Sequence, residues 1–284
     1  MMEWIARPRP WSGLLLAVGL LACRERSPAE PSAAGPHRVV SLAPNLTEIV
    51  FAVGAGDRLV GVSEYSDYPE AARSIPRVGG LQVDPEKVAA LRPDLVLAVA
   101  EGNAQGSVRA LQAAGLTVAV TPSGSLDDVL DSIRLVADRL GRPEEGRRLA
   151  DELARRREAI RRKVAGRPKP RALLLVWPDP PQAAGGGTFL NDVLTEAGAQ
   201  NLVGDRRGWP VLSKEYVATA PIDLLVAPES VEARAAWETA FAPEGALSTG
   251  TIAKARRIQL PEAALTRAGP RVFDMLETLA DATR

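Results

Sequence analysis

The chain has 284 residues, 46% of them hydrophobic and 25% charged, enough for one or two domains with a real core. Its 35 basic and 35 acidic residues balance, which excludes the broad basic footprint of a nucleic-acid binder. One histidine and one cysteine exclude a His-rich zinc centre and any intramolecular disulfide, so the fold must be held by its core.

Arg7 and Arg9 precede an apolar run from Trp11 to Leu21 that is too short to span a bilayer comfortably, which predicts a secretory signal over 1–22 rather than a membrane helix. The run closes on Leu20-Leu21-Ala22-Cys23, which resembles a bacterial lipobox; Cys23 is therefore expected to become residue one and to take up lipid through its thiol. The following stretch to Gly35, rich in Pro, Ala, Ser and Glu with no apolar period, reads as a tether over 23–36. These features predict an exported protein that touches the membrane through its lipid alone.

The folded part is expected to begin near Arg38, where Val39, Val40 and Leu42 form a short apolar run between Pro36 and Pro44. Further β-rich runs follow at 58–62, 94–98, 117–120, 171–176, 223–227 and 257–260, alternating with helical patterns. That alternation predicts parallel α/β layers, and no Asn-Gly or Asp-Gly turn joins neighbouring strands as a hairpin.

The second half repeats the first. Leu46-Thr47-Glu48-Ile49-Val50 through Gly54-Ala55 matches Leu190-Asn191-Asp192-Val193-Leu194 through Gly198-Ala199, 144 positions on. Asp84-Pro85-Glu86 with Asp94-Leu95-Val96 matches Ser213-Lys214-Glu215 with Asp223-Leu224-Leu225, 129 positions on. Between the halves, Pro143 near a first turn and Gly166 past a last turn bracket one long helix. Leu149, Leu153, Ile160 and Val164 form its narrow apolar stripe, and the arginines around them suit its surface and its C-terminal dipole. The expected architecture is α/β: two similar lobes, 37–142 and 167–284, each a parallel sheet flanked by helices, joined by a single helix over 143–166.

In open α/β sheets ligands sit beyond the carboxyl ends of the strands. Tyr65 follows the run ending at Val62, Trp177 follows the run ending at Val176, and Trp209 lies in the polar loop Arg206-Arg207-Gly208-Trp209-Pro210. The repeat maps Tyr65 to within a residue of Trp209, so one aromatic from each lobe is expected to face the cleft. Aromatic faces suit a large flat ligand; packing of the lobe edges is the alternative role for Trp177 and Trp209. Gly185-Gly186-Gly187-Thr188 lacks the Lys and spacing of a phosphate-binding loop and reads as a close-approach loop at the cleft rim.

The stretch Arg38-Val39-Val40-Ser41-Leu42-Ala43-Pro44-Asn45-Leu46-Thr47-Glu48, with Gly61-Val62-Ser63-Glu64-Tyr65-Ser66-Asp67-Tyr68-Pro69, resembles the periplasmic cobalamin-binding proteins of vitamin importers. The likeness continues through Arg92-Pro93-Asp94, Gly208-Trp209-Pro210 and Ala268-Gly269-Pro270-Arg271. The resemblance implies a substrate-binding protein of an ABC importer, a monomer with two lobes on one rigid helix, and a ligand held between them. It implies ligand contacts at Tyr65 and Trp209 and in the C-terminal loop at Arg267. Departures stand at Leu81 and Val99, where the family carries tryptophans, and at Ala263-Ala264-Leu265-Thr266-Arg267, where its loop is acidic and aromatic. Cobalamin is the first choice of ligand. Ferric siderophores, for which Arg206, Arg207 and Arg267 would be the basic residues, and haem share the architecture.

Glu86 and Glu215 each fall two residues after a cap candidate, where exposed helix amides favour an acid. Their equivalence in the repeat suits docking on a permease dimer with matching basic pockets, and the resemblance implies that role. An enzyme or a scaffold is the distant alternative. The single histidine, His37, lies beside the tether, so no Ser-His-Asp triad can form in the cleft. Glu64 with Asp67 is a carboxylate pair that could do acid–base work, and it equally suits a turn. No catalytic residue, resident metal or cofactor is expected.

Overall fold

The computed structural model describes residues 35–80, 82–101, 103, 105–229 and 233–283, so the expected signal, Cys23 and most of the tether lie outside the described residues, as does Leu81. The first half runs β1 (Val39–Ser41), α1 (Pro44–Ala52), β2 (Leu59–Val62), α2 (Pro85–Ala90), β3 (Leu95–Val99), α3 (Gln105–Ala113), β4 (Val118–Thr121) and α4 (Leu126–Arg139). After α5 (Pro143–Val164) come β5 (Arg171–Pro178), β6 (Pro181–Ala183), α6 (Phe189–Glu196), β7 (Gln200–Asn201), α7 (Lys214–Thr219) and β8 (Leu224–Glu229). The chain ends with α8 (Arg234–Phe241), α9 (Gly250–Lys254), β9 (Arg256–Pro261), α10 (Glu262–Thr266) and α11 (Val272–Ala282).

The first sheet has the order β2-β1-β3-β4, every pair parallel. In the second, β7, β8 and β9 lie parallel around β5 in the order β7-β5-β8-β9, the same arrangement. The helices repeat as well. Asp84 caps α2 by accepting from the Glu86 and Lys87 amides, and Ser213 caps α7 by accepting from the Tyr216 amide. Gly54 and Gly198, just past α1 and α6, both take positive φ (74° and 87°), the left-handed stop that a side chain resists.

One strand departs from the expected all-parallel lobes. β6 runs antiparallel to β5, with Trp177 paired to Gln182 and Pro178 to Pro181 across a turn of Asp179 and Pro180. Asp-Pro is not among the dipeptides that mark tight hairpins, so the ribbon carries no Asn-Gly or Asp-Gly signal. β7, only two residues long, also escaped the reading.

Alternation along the strands sorts the side chains into three cores. Val40, Leu42, Val96 and Ala98 pack with Val88 of α2 and Leu111 of α3 on one face of the first sheet. Leu173, Leu175, Leu225 and Ala227 pack with Val217 of α7 and Trp237 of α8 on one face of the second. The remaining faces meet in one continuous cluster: Val39, Leu95 and Leu97 with α1 and α4, Leu174, Leu224 and Val226 with α6 and α11, and Ala150, Leu153 and Ile160 of α5 between them. The lobes are thus not two separate cores on a linker; α5 is built into a core that both share.

Along α5 the buried residues are Gly146, Ala150, Leu153, Arg157 and Ile160. Leu149 and Val164, expected on the stripe, lie at its partly buried margin. Arg157 is the exception to the solvated arginines: it is buried and donates to both carboxylate oxygens of Glu196 (2.7 and 2.6 Å) and to Asp127 (2.5 Å). Its charge joins α4 of one lobe to α6 of the other. Beside it, the Leu126 amide donates to Asp192 at 3.1 Å, a second tie between the same helices.

Candidate ligand-binding cleft

A half-open cavity of about 930 Å³ lies between the lobes. Its wall is built from segments at the carboxyl ends of the strands: Ser63 to Tyr65 after β2, Glu101 after β3, Ser123 after β4, Trp209 after β7, Glu229 at the end of β8, and Pro261 to Ala263 with Thr266 and Arg267 at the end of β9.

Tyr65 is held from below. Buried Thr47 of α1 hydrogen-bonds Ser41 and Ser66 (both 2.9 Å), Ser66 hydrogen-bonds Ser63 (2.8 Å), and Arg77 donates to the carbonyls of Ser63 (3.0 Å) and Ser66 (2.5 Å). The ring rests against Gly80, where a Cβ would come within 3.2 Å of it. Trp209 is held by backbone pairing. The Gly185 amide donates to the Gly208 carbonyl (2.8 Å) and the Gly186 amide to that of Arg206 (2.7 Å), while Gln182 donates to the Trp209 carbonyl at 3.2 Å. A Cβ on Gly185 would stand 2.1 Å from the Arg206 oxygen, which is why glycine is required there. Thr188 at the end of this loop caps α6 and lines the cavity with Gly187. Both aromatics are partly exposed, Tyr65 by 56% and Trp209 by 44%, and both line the cavity, one from each lobe.

Arg267 lines the floor, and its charge is already engaged. It donates to Asp67 (2.5 Å) and to the Tyr65 carbonyl (3.1 Å), and stands 3.7 Å from buried Glu48. Hydrogen bonding from Arg267 holds the Asp67 carboxyl below its ordinary range, against the opposing effect of burial. Glu48 is paired in turn with Arg271 (3.0 and 2.6 Å), whose guanidinium lies 3.9 Å over the Tyr68 ring. Asn45 donates to the Ala268 carbonyl at 3.2 Å across the same seam.

Trp177 is not among the residues lining the cavity. β5 continues past Val176 and folds back as β6, so the indole sits in a ladder rather than in a loop beyond a strand end, with its N–H donated to the Asp179 carbonyl (3.0 Å). Arg206 and Arg207 do not line it either; the Arg206 guanidinium lies over the Tyr216 ring at 4.7 Å. His37 is exposed and does not line the cavity, its backbone N–H bonded to Asp94. Glu64 and Asp67 both line the cavity, but the Arg267 pairing commits Asp67 as an anion and leaves it poorly suited to carry a proton. Glu86 and Glu215 are exposed in the first turns of the equivalent helices α2 and α7, away from the cavity.

Glu101, Glu229, Glu262 and Asn103 also line the cavity, as does Asn45 of the Arg38–Glu48 stretch, and none of them was expected there from the sequence. The repeat held a signal for two of them. Glu101 follows β3 and Glu229 ends β8, equivalent strands, in places that the 129-residue shift superimposes to within a residue.

Residues 39–255 match the sequence model of the periplasmic binding protein family. The chain belongs to that family. This binding protein is 31% identical over 221 residues to the vitamin B12-binding protein of Yersinia pseudotuberculosis serotype O:1b (strain IP 31758), spanning 77% of this chain and 76% of that one. Among solved structures it is similar to the periplasmic heme-binding protein RhuT from Roseiflexus sp. RS-1 in apo form, with 30% identity, a TM-score of 0.76, and 88% of this chain and 98% of that one covered. The periplasmic vitamin B12 binding protein BtuF of Vibrio cholerae matches with 28% identity and a TM-score of 0.75, over 87% and 96% of the two chains. These relatives are solute-binding proteins, and the two-lobed α/β fold of this one is theirs. Among the described residues no helix is long and apolar enough to cross a membrane.

Proposed function

We propose that this periplasmic binding protein captures cobalamin or a related corrinoid in the interlobe cleft and delivers it to the permease of an ABC importer. The observation that carries the reading is the pair of aromatics, Tyr65 and Trp209, placed on opposite lobes at one cavity of about 930 Å³. That volume is at the upper end of roughly 300–1,000 Å³ for small-molecule sites, and suits one broad ligand lying between two flat faces. Among the described residues no cluster of three His, Cys, Asp or Glu side chains is placed to hold a bare ion. A metal that arrives inside its own macrocycle needs no such cluster.

Glu86 and Glu215 complete the reading as docking residues, exposed on equivalent helices of lobes that share one topology. Cys23 is proposed as the lipid anchor, to be checked by mass spectrometry of the mature N-terminus.

The test is calorimetric titration with cyanocobalamin, then haem and ferric siderophores. Tight one-to-one binding of cyanocobalamin is expected, weakened about 10- to 100-fold by Trp209→Ala, the range of a buried aromatic anchor. Uptake of haem or a siderophore without cobalamin would keep the binding-protein class and change the ligand. The double variant Glu86→Ala/Glu215→Ala is expected to keep cobalamin affinity and lose uptake in cells; unchanged uptake would remove the docking role.

A further inference from the structure

Five acidic side chains line the cleft: Glu64, Asp67 and Glu101 from the first lobe, Glu229 and Glu262 from the second. Arg267 is the one basic side chain among the described residues of the lining, and it is committed to Asp67, to the Tyr65 carbonyl and to the vicinity of Glu48. Setting Arg267 against Asp67 leaves four carboxylates facing the ligand space without a cation of their own in the lining. The chain as a whole is neutral, so this is a local concentration of one sign and not a reflection of composition. Glu101 follows β3 and Glu229 ends β8, equivalent strands of the two lobes, which puts the charge on both walls.

We propose that the cleft selects its chelate by charge, drawing in a cationic or neutral metal chelate and rejecting an anionic one, with Glu64, Glu101, Glu229 and Glu262 as the specificity-determining residues. A cleft lined by one sign focuses its field into the opening and raises the local concentration of the opposite charge. A bound ligand displaces the water that screens these carboxylates, so an anion meets more repulsion bound than during approach, whereas amide N–H groups or a cationic metal centre are stabilised. The inference deepens the proposed corrinoid reading and rests on the same cleft. It also sets haem, with its two propionates, and carboxylate siderophores behind corrinoids whose rim amides are neutral donors.

The test is a charge series on one ring. Stopped-flow association is measured for aquocobalamin (cationic), cyanocobalamin (neutral) and sulfitocobalamin (anionic) at low and high salt. At low salt the cation is expected to associate about tenfold faster than the neutral form, the anion slower than both, and the spread to collapse as salt is added. Glu101→Gln/Glu229→Gln should cut the cation's lead several-fold. Equal rates at low salt, or the anion fastest, would overturn the proposal. A second measurement needs no ligand. Trp209 at the cleft and Trp177 outside it are almost equally exposed, 44% and 43%, and their fluorescence is separable through Trp209→Phe and Trp177→Phe. Iodide should quench Trp209 less than Trp177, and caesium the reverse. If no corrinoid binds but the quenching follows this order, the corrinoid reading fails and charge selection stands; if iodide reaches Trp209 as readily as Trp177, charge selection fails whatever the ligand.

Discussion

Arg157 shows what a single buried charge does in this molecule. It sits four residues after Leu153 on the apolar stripe of α5 and holds Glu196 of one lobe and Asp127 of the other. Removing one partner of a buried pair leaves the other uncompensated, so Arg157→Ala is expected to cost about 3 kcal/mol in urea unfolding, moderated by Arg161, which also reaches Glu196 at 2.7 Å. Burial raises the Glu196 pKa, but hydrogen bonds from Arg157 and Arg161 outweigh it and leave the carboxyl below its ordinary value. Its folded pKa is therefore depressed: the contribution to stability is present above the unfolded pKa and is lost as pH falls through the folded one. Asp223 gives a cleaner reading of the same sign. Arg171 donates to it through side chain and backbone and lowers its pKa from 3.8 to about 2. NMR titration of the Asp223 carboxyl should find a midpoint near 2 in the parent and a return toward 3.8 in Arg171→Gln. A midpoint near 3.8 in the parent would show that the pair does not persist in solution.

At the scale of elements, α5 was legible in its ends and only partly in its buried face. Pro143 starts it, Glu144 and Glu145 sit in its first turn, and Arg161, Arg162 and Lys163 in its last, each favourable to the dipole. Its buried positions step by four and three residues from Gly146 to Ile160, but Gly146 and Arg157 are invisible to a search for large apolar side chains. Gly146 is there because α4 comes close: a Cβ would fall 2.3 Å from that of Ala137. Helix propensity favours alanine over glycine by about 1 kcal/mol. The contact argues the other way, and Gly146→Ala is expected to destabilise by roughly 1–3 kcal/mol, the usual cost of overpacking. A gain in stability would show that α4 and α5 separate freely. The β5–β6 ribbon is the opposite case, an element whose sequence carries no hairpin signal and whose second strand is also held by the Pro210–Leu212 backbone.

For the whole molecule, the decisive feature is the shared core. α5 packs between α4 on one side and α11 on the other, and its apolar residues belong to a cluster that reaches both sheets. Unfolding one lobe would expose the buried face of the other, so heating should give a single transition with equal calorimetric and van't Hoff enthalpies. Two resolved transitions would mean that the lobes fold alone. The same core, with the Glu48–Arg271 and Asp67–Arg267 pairs across the seam, is expected to limit closure around a ligand to roughly a few degrees. X-ray scattering with and without saturating ligand should give superimposable curves, and a large compaction on binding would contradict the rigid reading.

Local and repeating properties were readable from the chain: strand alternation, the caps Asp84 and Ser213, the stop glycines 54 and 198, and the duplicated lobe. They depend on neighbours within a few residues, or on two segments of similar pattern, and a linear string preserves both. Of the cleft's aromatics, Tyr65 was readable because it follows a strand end, where an α/β sheet must present its loops, and Trp209 because it lies in a polar loop that the repeat sets opposite Tyr65. Trp177 escaped that rule because β5 runs on and doubles back. What joins positions far apart in the chain was not readable. Glu48 meets Arg271 across 223 positions, and Arg157 meets Glu196 across 39, only after the helices of both lobes have packed. Neither the sign of the cleft nor the single core beneath it belongs to any one segment, because charge and burial are summed over surfaces that exist only once the chain has folded.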